Sequence, residues 1–251
     1  MLTPSENAPD IKRFTVVNGH YGCGKTNLSI NLALDLTARY SQVTLVDLDV
    51  VNPYFRSSDY TAMLERHGVC VIAPTFAGTT LDTPVLSPAI ASAFESDGAV
   101  ILDVGGDDAG ATALGRYSKD IAPLDYDLLY VINRYRSLTT TPEEAAALLA
   151  EIEGAAHLKA TGVVNNSHRR SETTADTVRD SLEFARETAR LLGLPLRFTT
   201  VPVALASELS ASGAAGDGGQ DSASFIENAY PVQIHVRTPW EDPSEVDEEV
   251  T

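Results

Sequence analysis

The stretch that decides the fold is Asn18-Gly19-His20-Tyr21-Gly22-Cys23-Gly24-Lys25-Thr26-Asn27. It fits the pattern G-x-x-x-x-G-K-[ST], with Gly19, Gly24, Lys25 and Thr26 at the defining positions. Backbone N–H groups of such a loop point inward at a polyphosphate, and the following helix N-terminus adds partial positive charge. We expect Lys25 to reach the β- and γ-phosphates and the Thr26 hydroxyl to ligate Mg²⁺. The sequence therefore predicts a nucleotide phosphate site formed by Gly19, His20, Tyr21, Gly22, Cys23, Gly24, Lys25, Thr26 and Asn27.

The segments on either side of this loop have the periodicities that a phosphate loop requires. Residues 14–17 form a short apolar run that predicts a buried strand. Leu28, Leu32 and Leu36 recur four apart within residues 28–40, as one face of a helix requires. A strand, a glycine loop and a helix in this order favour a phosphate loop over a chance glycine turn between strand and helix.

The rest of the chain alternates between apolar runs and helical patterns. We predict strands at residues 42–46, 69–72, 99–102, 128–132, 160–164, 196–201 and 232–236, and helices at residues 58–67, 84–94, 142–153 and 174–192. Short continuous apolar strands separated by helices are typical of a parallel sheet covered on both faces. The predicted fold class is α/β, a three-layer, doubly wound, mostly parallel P-loop NTPase fold. We expect one domain over residues 11–240, a mobile glycine-rich loop at 211–220, and flexible termini at 1–10 and 241–251.

Composition narrows the classes of partner. The net charge is −17, from 35 acidic and 18 basic residues, which disfavours nucleic acid and anionic membrane surfaces. No run of about twenty apolar residues occurs, and residues 1–10 lack the pattern of a signal peptide. Two cysteines make no disulfide framework, so we expect a cytoplasmic protein. Cys23 is either a thiol activated by the positive field of the loop or a small filler beneath the phosphates, and the second reading is favoured.

Acidic residues follow two of the predicted strands. Asp103 begins D-x-x-G, which ends at Gly106 and has the form of a Mg²⁺-holding aspartate followed by a glycine that senses the γ-phosphate. Asp47 and Asp49 end the strand that follows the phosphate-loop helix. One of them could hold the water shell of the metal while the other orients the attacking water. The alternative is that these aspartates cap strand ends and start turns.

The residues that follow the predicted strand at 160–164 indicate which nucleotide base the site binds. It runs into Asn165-Asn166-Ser167-His168, which lacks the aspartate of the N-K-x-D pattern that reads guanine. An asparagine amide can meet the N6/N7 edge of adenine, so we predict ATP/ADP as the nucleotide and Asn165 as the adenine contact. Asn133, at the end of the preceding strand, is a second candidate.

These motifs together resemble the MinD/ParA/CobQ-type ATPases of the SIMIBI class, and more narrowly a bacterial group of single-domain MinD-like ATP-binding proteins. The resemblance covers residues 14–203 and rests on the phosphate loop and on V-D-L-D, D-V-G-G and G-V-V-N. It implies that Asp49 activates water with support from Asp47, that Asp49 and Asp103 serve Mg²⁺, and that Lys25 takes part in catalysis. It also implies an ATP-dependent homodimer. Many family members carry a signature lysine that reaches into the partner subunit, and His20 stands in its place here.

Because His20 stands in place of the signature lysine, another residue would have to supply the cation. The candidates follow or neighbour predicted strand ends and are Arg56, Arg116, Arg134 and Arg136. For any one of them, a solvated surface role is the ordinary interpretation.

Two classes of function stay open. The first is an ATPase of low basal activity that acts as a switch on an unknown protein partner. The second is an enzyme that activates or phosphorylates a small molecule beside Tyr54, Asp107, Asp108 and Arg134.

Overall fold

The computed structural model describes residues 8–49, 56–73, 88–211, 226 and 228–236, and within them eight strands form one sheet. The strand order is β3-β2-β4-β1-β5-β6-β7-β8, and every neighbouring pair is parallel. The strands are β1 Phe14–Gly19, β2 Val43–Leu48, β3 Val69–Ile72, β4 Ala99–Val104, β5 Tyr126–Ile132, β6 Gly162–Asn165, β7 Leu196–Pro202 and β8 Ala229–Val232. This confirms the predicted α/β fold class.

Helices cover both faces of the sheet. They are α1 Lys25–Leu36, α2 Thr61–Arg66, α3 Pro88–Glu95, α4 Asp108–Gly115, α5 Ser118–Ile121, α6 Pro142–Ala156, α7 Ala175–Arg179, α8 Leu182–Leu192 and α9 Val203–Ala211. The core residues of α1 and α2 belong to one hydrophobic cluster, and those of α3, α4, α5, α6 and α8 belong to a second. A third, smaller cluster joins α7 and α9 to the end of β7. In the described part of the chain, no helix has the length and apolar character needed to cross a membrane.

The central strand shows how the apolar runs produce three layers. Side chains of a strand alternate between faces, so Val16 packs into the cluster beneath α3–α6 while Val17 packs into the cluster beneath α1. Both are 0% exposed, which is why β1 reads as a continuous apolar run. The register places Asp47 opposite Asp103 on β2 and β4. Because all strands run the same way, their carboxyl ends, and the residues that follow them, meet at one edge of the sheet.

Several predicted elements differ from the structure in their bounds. The predicted helix over 174–192 is two helices, α7 and α8, because the Ser181 hydroxyl donates to the Val178 carbonyl at 2.6 Å and receives the Asn165 amide at 2.9 Å. Such local side-chain bonds compete with the helical ladder. The predicted helix over 58–67 begins as a 3₁₀ turn, Ser57–Tyr60, before α2.

At the C-terminal side, the predicted strand over 232–236 is placed too late. The strand β8 ends at Val232, and residues 233–236 leave the sheet. The helices α4, α5 and α9 were not predicted. The first and last consist mostly of small, weakly patterned residues, and α5 has only four residues, so each gives little helical signal. The predicted mobile loop at 211–220 lies outside the described residues except for Ala211, and so do the termini apart from residues 8–10.

Candidate functional site

The phosphate loop joins β1 to α1 through glycines in conformations that other residues avoid. Gly24 precedes α1 with φ 84° and ψ 24°, the left-handed region. Gly19 has φ 152°, and a Cβ placed on it would lie 2.2 Å from the Val131 carbonyl oxygen. The loop therefore requires glycine both for its turn and for its close approach to β5.

The Lys25 ammonium lies within this loop. Its side chain is nearly buried, at 7% exposed, and its Nζ donates to the His20 carbonyl at 3.1 Å. The end of β4 is brought against the same group, because a Cβ on Gly106 would lie 2.6 Å from both Lys25 Nζ and the Tyr21 backbone nitrogen. The structure thus brings Lys25 and Gly106 together, as the motifs predict for a phosphate site.

Asp103 lies beneath the loop, fully buried at the end of β4. Its Oδ1 accepts from the Ser29 hydroxyl of α1 at 3.1 Å, while its Oδ2 is buried without a hydrogen-bond partner among the described residues. Burial, and after it the charge of Asp47, raise the pKa of Asp103 to about 7, against the opposing effects of Lys25, Thr26 and Ser29. A buried carboxylate with a spare oxygen is poised to accept a proton or a cation.

The residues around Asp103 fit a magnesium ion that is shared with a nucleotide. Mg²⁺ prefers oxygen ligands, keeps several waters, and in nucleotide sites takes few protein ligands beside phosphate oxygens. The Thr26 hydroxyl and the Asp103 carboxylate could supply oxygen ligands to a metal at the loop. Among the described residues, no group of three or more histidine, cysteine, aspartate or glutamate side chains could hold a metal alone. The site fits a cation that arrives with phosphates.

Asp47 and Asp49 take different places. Asp47 is 3% exposed, and its two oxygens accept from the backbone N–H groups of Asp49 at 3.0 Å and Ser58 at 3.1 Å. Asp49 lines the cavity and lies beside Gly105, where a Cβ would be 3.1 Å from its Oδ1. Asp47 therefore holds the chain at Asp49 and at Ser58, and Asp49 lines the cavity beside Gly105.

A cavity of about 770 Å³ runs from the phosphate loop to the carboxyl ends of β7 and β8. Its lining combines loop residues, the segment after β6 and an aliphatic end: His20, Tyr21, Gly22, Gly24, Lys25, Thr26, Asn27, Asp49, Gly106, Arg136, Ser137, Asn166, Ser167, His168, Arg170, Ser171, Thr173, Thr200, Pro202, Val232, Ile234 and Val236. The volume lies within the range of about 300–1,000 Å³ that is usual for small-molecule sites.

Asn165 is not among these lining residues. Its side chain is 0% exposed, and its amide donates to the hydroxyls of Ser181 at 2.9 Å and Thr199 at 3.5 Å. The neighbouring Asn166 lines the cavity instead, and donates to the Cys23 carbonyl of the phosphate loop at 2.7 Å. The assignment of Asn165 as the adenine contact stays a prediction. Asn166 is the asparagine of this pair that lines the cavity, and its Oδ1 accepts from the Thr200 hydroxyl at 2.5 Å.

The basic residues of the segment after β6 carry no sequence motif, and the structure places two of them, His168 and Arg170, at the cavity. His168 packs against Gly24, where a Cβ would lie 2.7 Å from its Nε2, and its Nδ1 accepts from the Arg170 backbone at 3.2 Å. Burial, and then the charges of Arg136 and Arg170, lower the pKa of His168 to about 4. His168 and Arg170, which both line the cavity, match no sequence motif, because their place at the site depends on the fold.

Of the four arginines considered as cations, Arg136 reaches the cavity. Its Nε donates to the Gly22 carbonyl of the phosphate loop at 2.8 Å. Arg134 instead donates to the Asp180 carbonyl, and its guanidinium lies 5.7 Å from the centre of the Tyr135 ring. The arginines at 56 and 116 do not line the cavity.

Two titratable groups of the loop are held in their neutral forms. Burial, followed by the charge of Lys25, lowers the pKa of His20. Burial raises the pKa of the Cys23 thiol, although Lys25 acts in the opposite direction. Cys23 is 1% exposed, so the structure supports the filler reading over the activated thiol.

With this geometry, the comparisons identify the class of protein. Residues 14–209 match the CobQ/CobB/MinD/ParA nucleotide binding domain, and the chain belongs to this family. No curated protein sequence matches the chain. The family confirms the resemblance to MinD/ParA/CobQ-type P-loop proteins of the SIMIBI class.

Solved structures share the fold. The cell division protein ftsY of Thermotoga maritima has 22% identity and a TM-score of 0.51, over 79% of this chain and 65% of that one. FtsY of Mycoplasma mycoides has 18% identity and a TM-score of 0.52, over 78% of this chain and 61% of that one. The chain thus spans less than two thirds of either protein, and at these identities the likeness concerns the fold alone.

Proposed function

We propose that this protein is a Mg²⁺-dependent ATP-binding protein with low ATPase activity that acts as a nucleotide-dependent switch on a protein partner. The observation that carries the proposal is the convergence of Lys25, Gly106 and the buried Asp103 on one phosphate loop. A lysine, a close glycine backbone and an acidic oxygen are the parts that a γ-phosphate and its cation require.

Each group of the chain has a distinct task in this proposal. The loop N–H groups and Lys25 bind the β- and γ-phosphates, and Thr26 and Asp103 hold the cation. When bound, Mg²⁺ neutralises charge on the phosphate oxygens. Asp49 orients the attacking water from the cavity side, while Asp47 positions Asp49 through the backbone bond at 3.0 Å.

Two variants test this assignment. Lys25→Ala should abolish nucleotide binding, because the phosphates lose their cation. Asp49→Asn should keep Mg·ATP binding but slow hydrolysis, since an amide accepts the proton of water poorly. Isothermal titration and single-turnover hydrolysis separate the two effects. Unchanged nucleotide affinity in Lys25→Ala would show that the cavity is not the nucleotide site.

The preference for ATP is tested by the same titrations. The segment 165–168 lacks the guanine-reading aspartate, and Asn166 brings an amide to the cavity. We expect GTP to bind at least about tenfold more weakly than ATP, which corresponds to about 1.4 kcal/mol. Equal affinities would contradict the assignment of ATP.

The switch is favoured over the small-molecule enzyme by the placement of the residues considered for the latter. Arg134 is bonded to the Asp180 carbonyl outside the cavity, and Asp107 caps α4 by accepting from Gly110 N–H at 2.8 Å. Tyr54 lies outside the described residues. By contrast, Asp49 and Gly106 both line the cavity, where the presence or absence of a γ-phosphate would change their contacts.

We further propose a weak, ATP-dependent homodimer as the state that the partner recognises. Two-fold closure around two nucleotides would place each phosphate loop against the other subunit. Light scattering after size exclusion, with Asp49→Asn protein and either Mg·ATP or Mg·ADP, tests this. A monomer in both states well above micromolar concentration would leave a monomeric switch as the better description.

A further inference from the structure

The chain that leaves β8 continues along the phosphate-loop helix. We name residues 233–236 the C-terminal strap. The strand β8 already contacts α1, because the Tyr230 hydroxyl donates to the Asp35 carboxylate at 2.7 Å. The strap extends this contact to the first turns of α1, next to the phosphate loop, where Ile234 and Val236 line the cavity.

Two asparagines on successive turns of α1 hold the strap by its backbone. The Asn31 side chain donates to the Gln233 carbonyl at 2.9 Å and accepts from the Gln233 N–H at 2.8 Å. The Asn27 side chain donates to the same carbonyl at 2.9 Å and accepts from the N–H groups of His235 at 2.8 Å and Val236 at 3.2 Å. Both carboxamides are thus satisfied by the strap, which fixes its position relative to the phosphate loop.

The side chains at this end of the cavity are aliphatic. Val232, Ile234 and Val236 line the cavity together with Pro202 at the end of β7. Ile234 is 50% exposed, a large fraction for an isoleucine in a segment held by five hydrogen bonds. In the nucleotide site proposed above the phosphates bind at Lys25, so the base and ribose would extend toward this aliphatic end of the cavity. A planar base would remove part of the exposed isoleucine from water.

We propose that the C-terminal strap is the apolar wall of the base end of the nucleotide site, and that Asn31 is a positioning residue that holds it there. The inference rests on the nucleotide site proposed above. The cavity-lining side chains from β8 and the strap are Val232, Ile234 and Val236, which have no hydrogen-bonding groups. The wall therefore adds affinity for any purine nucleotide without choosing between adenine and guanine. Strap docking and nucleotide binding stabilise each other to the same extent, as linkage requires.

The first test separates base contacts from phosphate contacts. Ile234→Ser and Asn31→Ala should each weaken binding of Mg·ADP and Mg·GDP about fivefold, in the same ratio for both nucleotides. Neither variant should change the affinity for tripolyphosphate, which has no base. Asn31→Asp keeps the acceptor for the Gln233 N–H and should be intermediate. Leu191→Ser is the matched control, because this leucine is 41% exposed on α8 and does not line the cavity.

The second test uses hydrogen exchange of the backbone amides. The N–H groups of Gln233, His235 and Val236 all donate to the two asparagines, so Mg·ADP should slow their exchange in wild-type protein. Tripolyphosphate should leave their exchange unchanged. An unchanged Kd for Mg·ADP in Ile234→Ser, or an equal loss for tripolyphosphate, would overturn the role of the strap. Failure of wild-type protein to bind any nucleotide would instead overturn the proposed function itself.

Discussion

The buried Asp103 carboxylate should make the ligand-free protein less stable as pH rises, and Asp103→Asn should remove this cost. The amide keeps an oxygen for the Ser29 hydroxyl but carries no charge to bury beside Asp47. At neutral pH we therefore expect the variant to be more stable than wild type when no nucleotide or Mg²⁺ is present. The same substitution should weaken the added stability that Mg²⁺ gives in the presence of ADP.

The magnitude follows from the pKa of Asp103, about 7 in the folded protein against 3.8 for an ordinary aspartate. Between these values the folded state holds a proton that the unfolded state has released, so folding stability falls with rising pH and levels off above pH 7. The difference between the two pKa values corresponds to a loss of about 4 kcal/mol in the free energy of unfolding as pH rises, of which about 2 to 3 kcal/mol is lost between pH 5 and pH 7.

Urea unfolding of both proteins at pH 5, 6, 7 and 8, in the presence of a chelator, measures this directly. The stability gap between Asp103→Asn and wild type should widen from pH 5 to pH 7 and then stay constant. Asp107→Asn is the control, since this exposed residue caps α4 and asparagine caps equally well. A gap that does not change with pH would refute the reasoning that burial and Asp47 hold the proton on Asp103.

Three further outcomes can be measured. Gly19→Ala should destabilise the fold by about 2 kcal/mol or more in thermal unfolding, because its Cβ would lie 2.2 Å from the Val131 carbonyl oxygen. Gly154→Ala, whose Cβ would lie in open space on α6, should instead stabilise the fold by about 0.5 to 1 kcal/mol. If both substitutions had similar effects, the close approach to β5 would be wrong. The Asp49→Asn variant should lose hydrolysis but gain ATP-dependent association in light scattering. Arg136→Ala should lower the turnover number for ATP about tenfold or more. Arg136→Lys should recover only part of the lost turnover, because lysine lacks the planar donors of the guanidinium. Equal turnover in wild type and both variants would show that Arg136 takes no part in the chemistry.

The phosphate loop and the sheet were predictable because their signals are local. A strand buried on both faces is a continuous apolar run, and the glycines of the loop are required by the backbone itself. The orientations of Asn165, the last residue of β6, and Asn166, which follows it, were not predictable in this way. Consecutive residues of a strand point to opposite faces, so one step separates Asn165, which bonds to Ser181 beneath α8, from Asn166, which bonds to Cys23 in the loop. A sequence pattern gives the amide pair but not which of the two asparagines lines the cavity.

The strap illustrates a second limit of the sequence. The contact between Asn27 and Gln233 joins residues 206 positions apart, and neither residue type signals the other. Asn27 was predicted as a phosphate-loop residue from its place after Thr26, and it does line the cavity. Its side chain nevertheless bonds to the C-terminal strap. Local motifs place residues at a site, but long-range packing decides what their side chains do there.

The same reasoning bears on where the cation for hydrolysis comes from. His20 stands where related proteins carry a lysine that acts on the partner subunit, and its lowered pKa keeps it neutral near pH 7 in the ligand-free protein. Arg136 is charged at any physiological pH, and its bond to the Gly22 carbonyl fixes it on the loop of its own subunit. We propose that Arg136 supplies this cation within its own chain, and we therefore expect turnover per subunit to stay constant over a hundredfold range of protein concentration. A rise with concentration that tracks the dimer fraction would show that the partner subunit completes the site. Constant turnover beside an ATP-dependent dimer would mean that association conveys the nucleotide state to a partner and leaves the chemistry to each subunit alone.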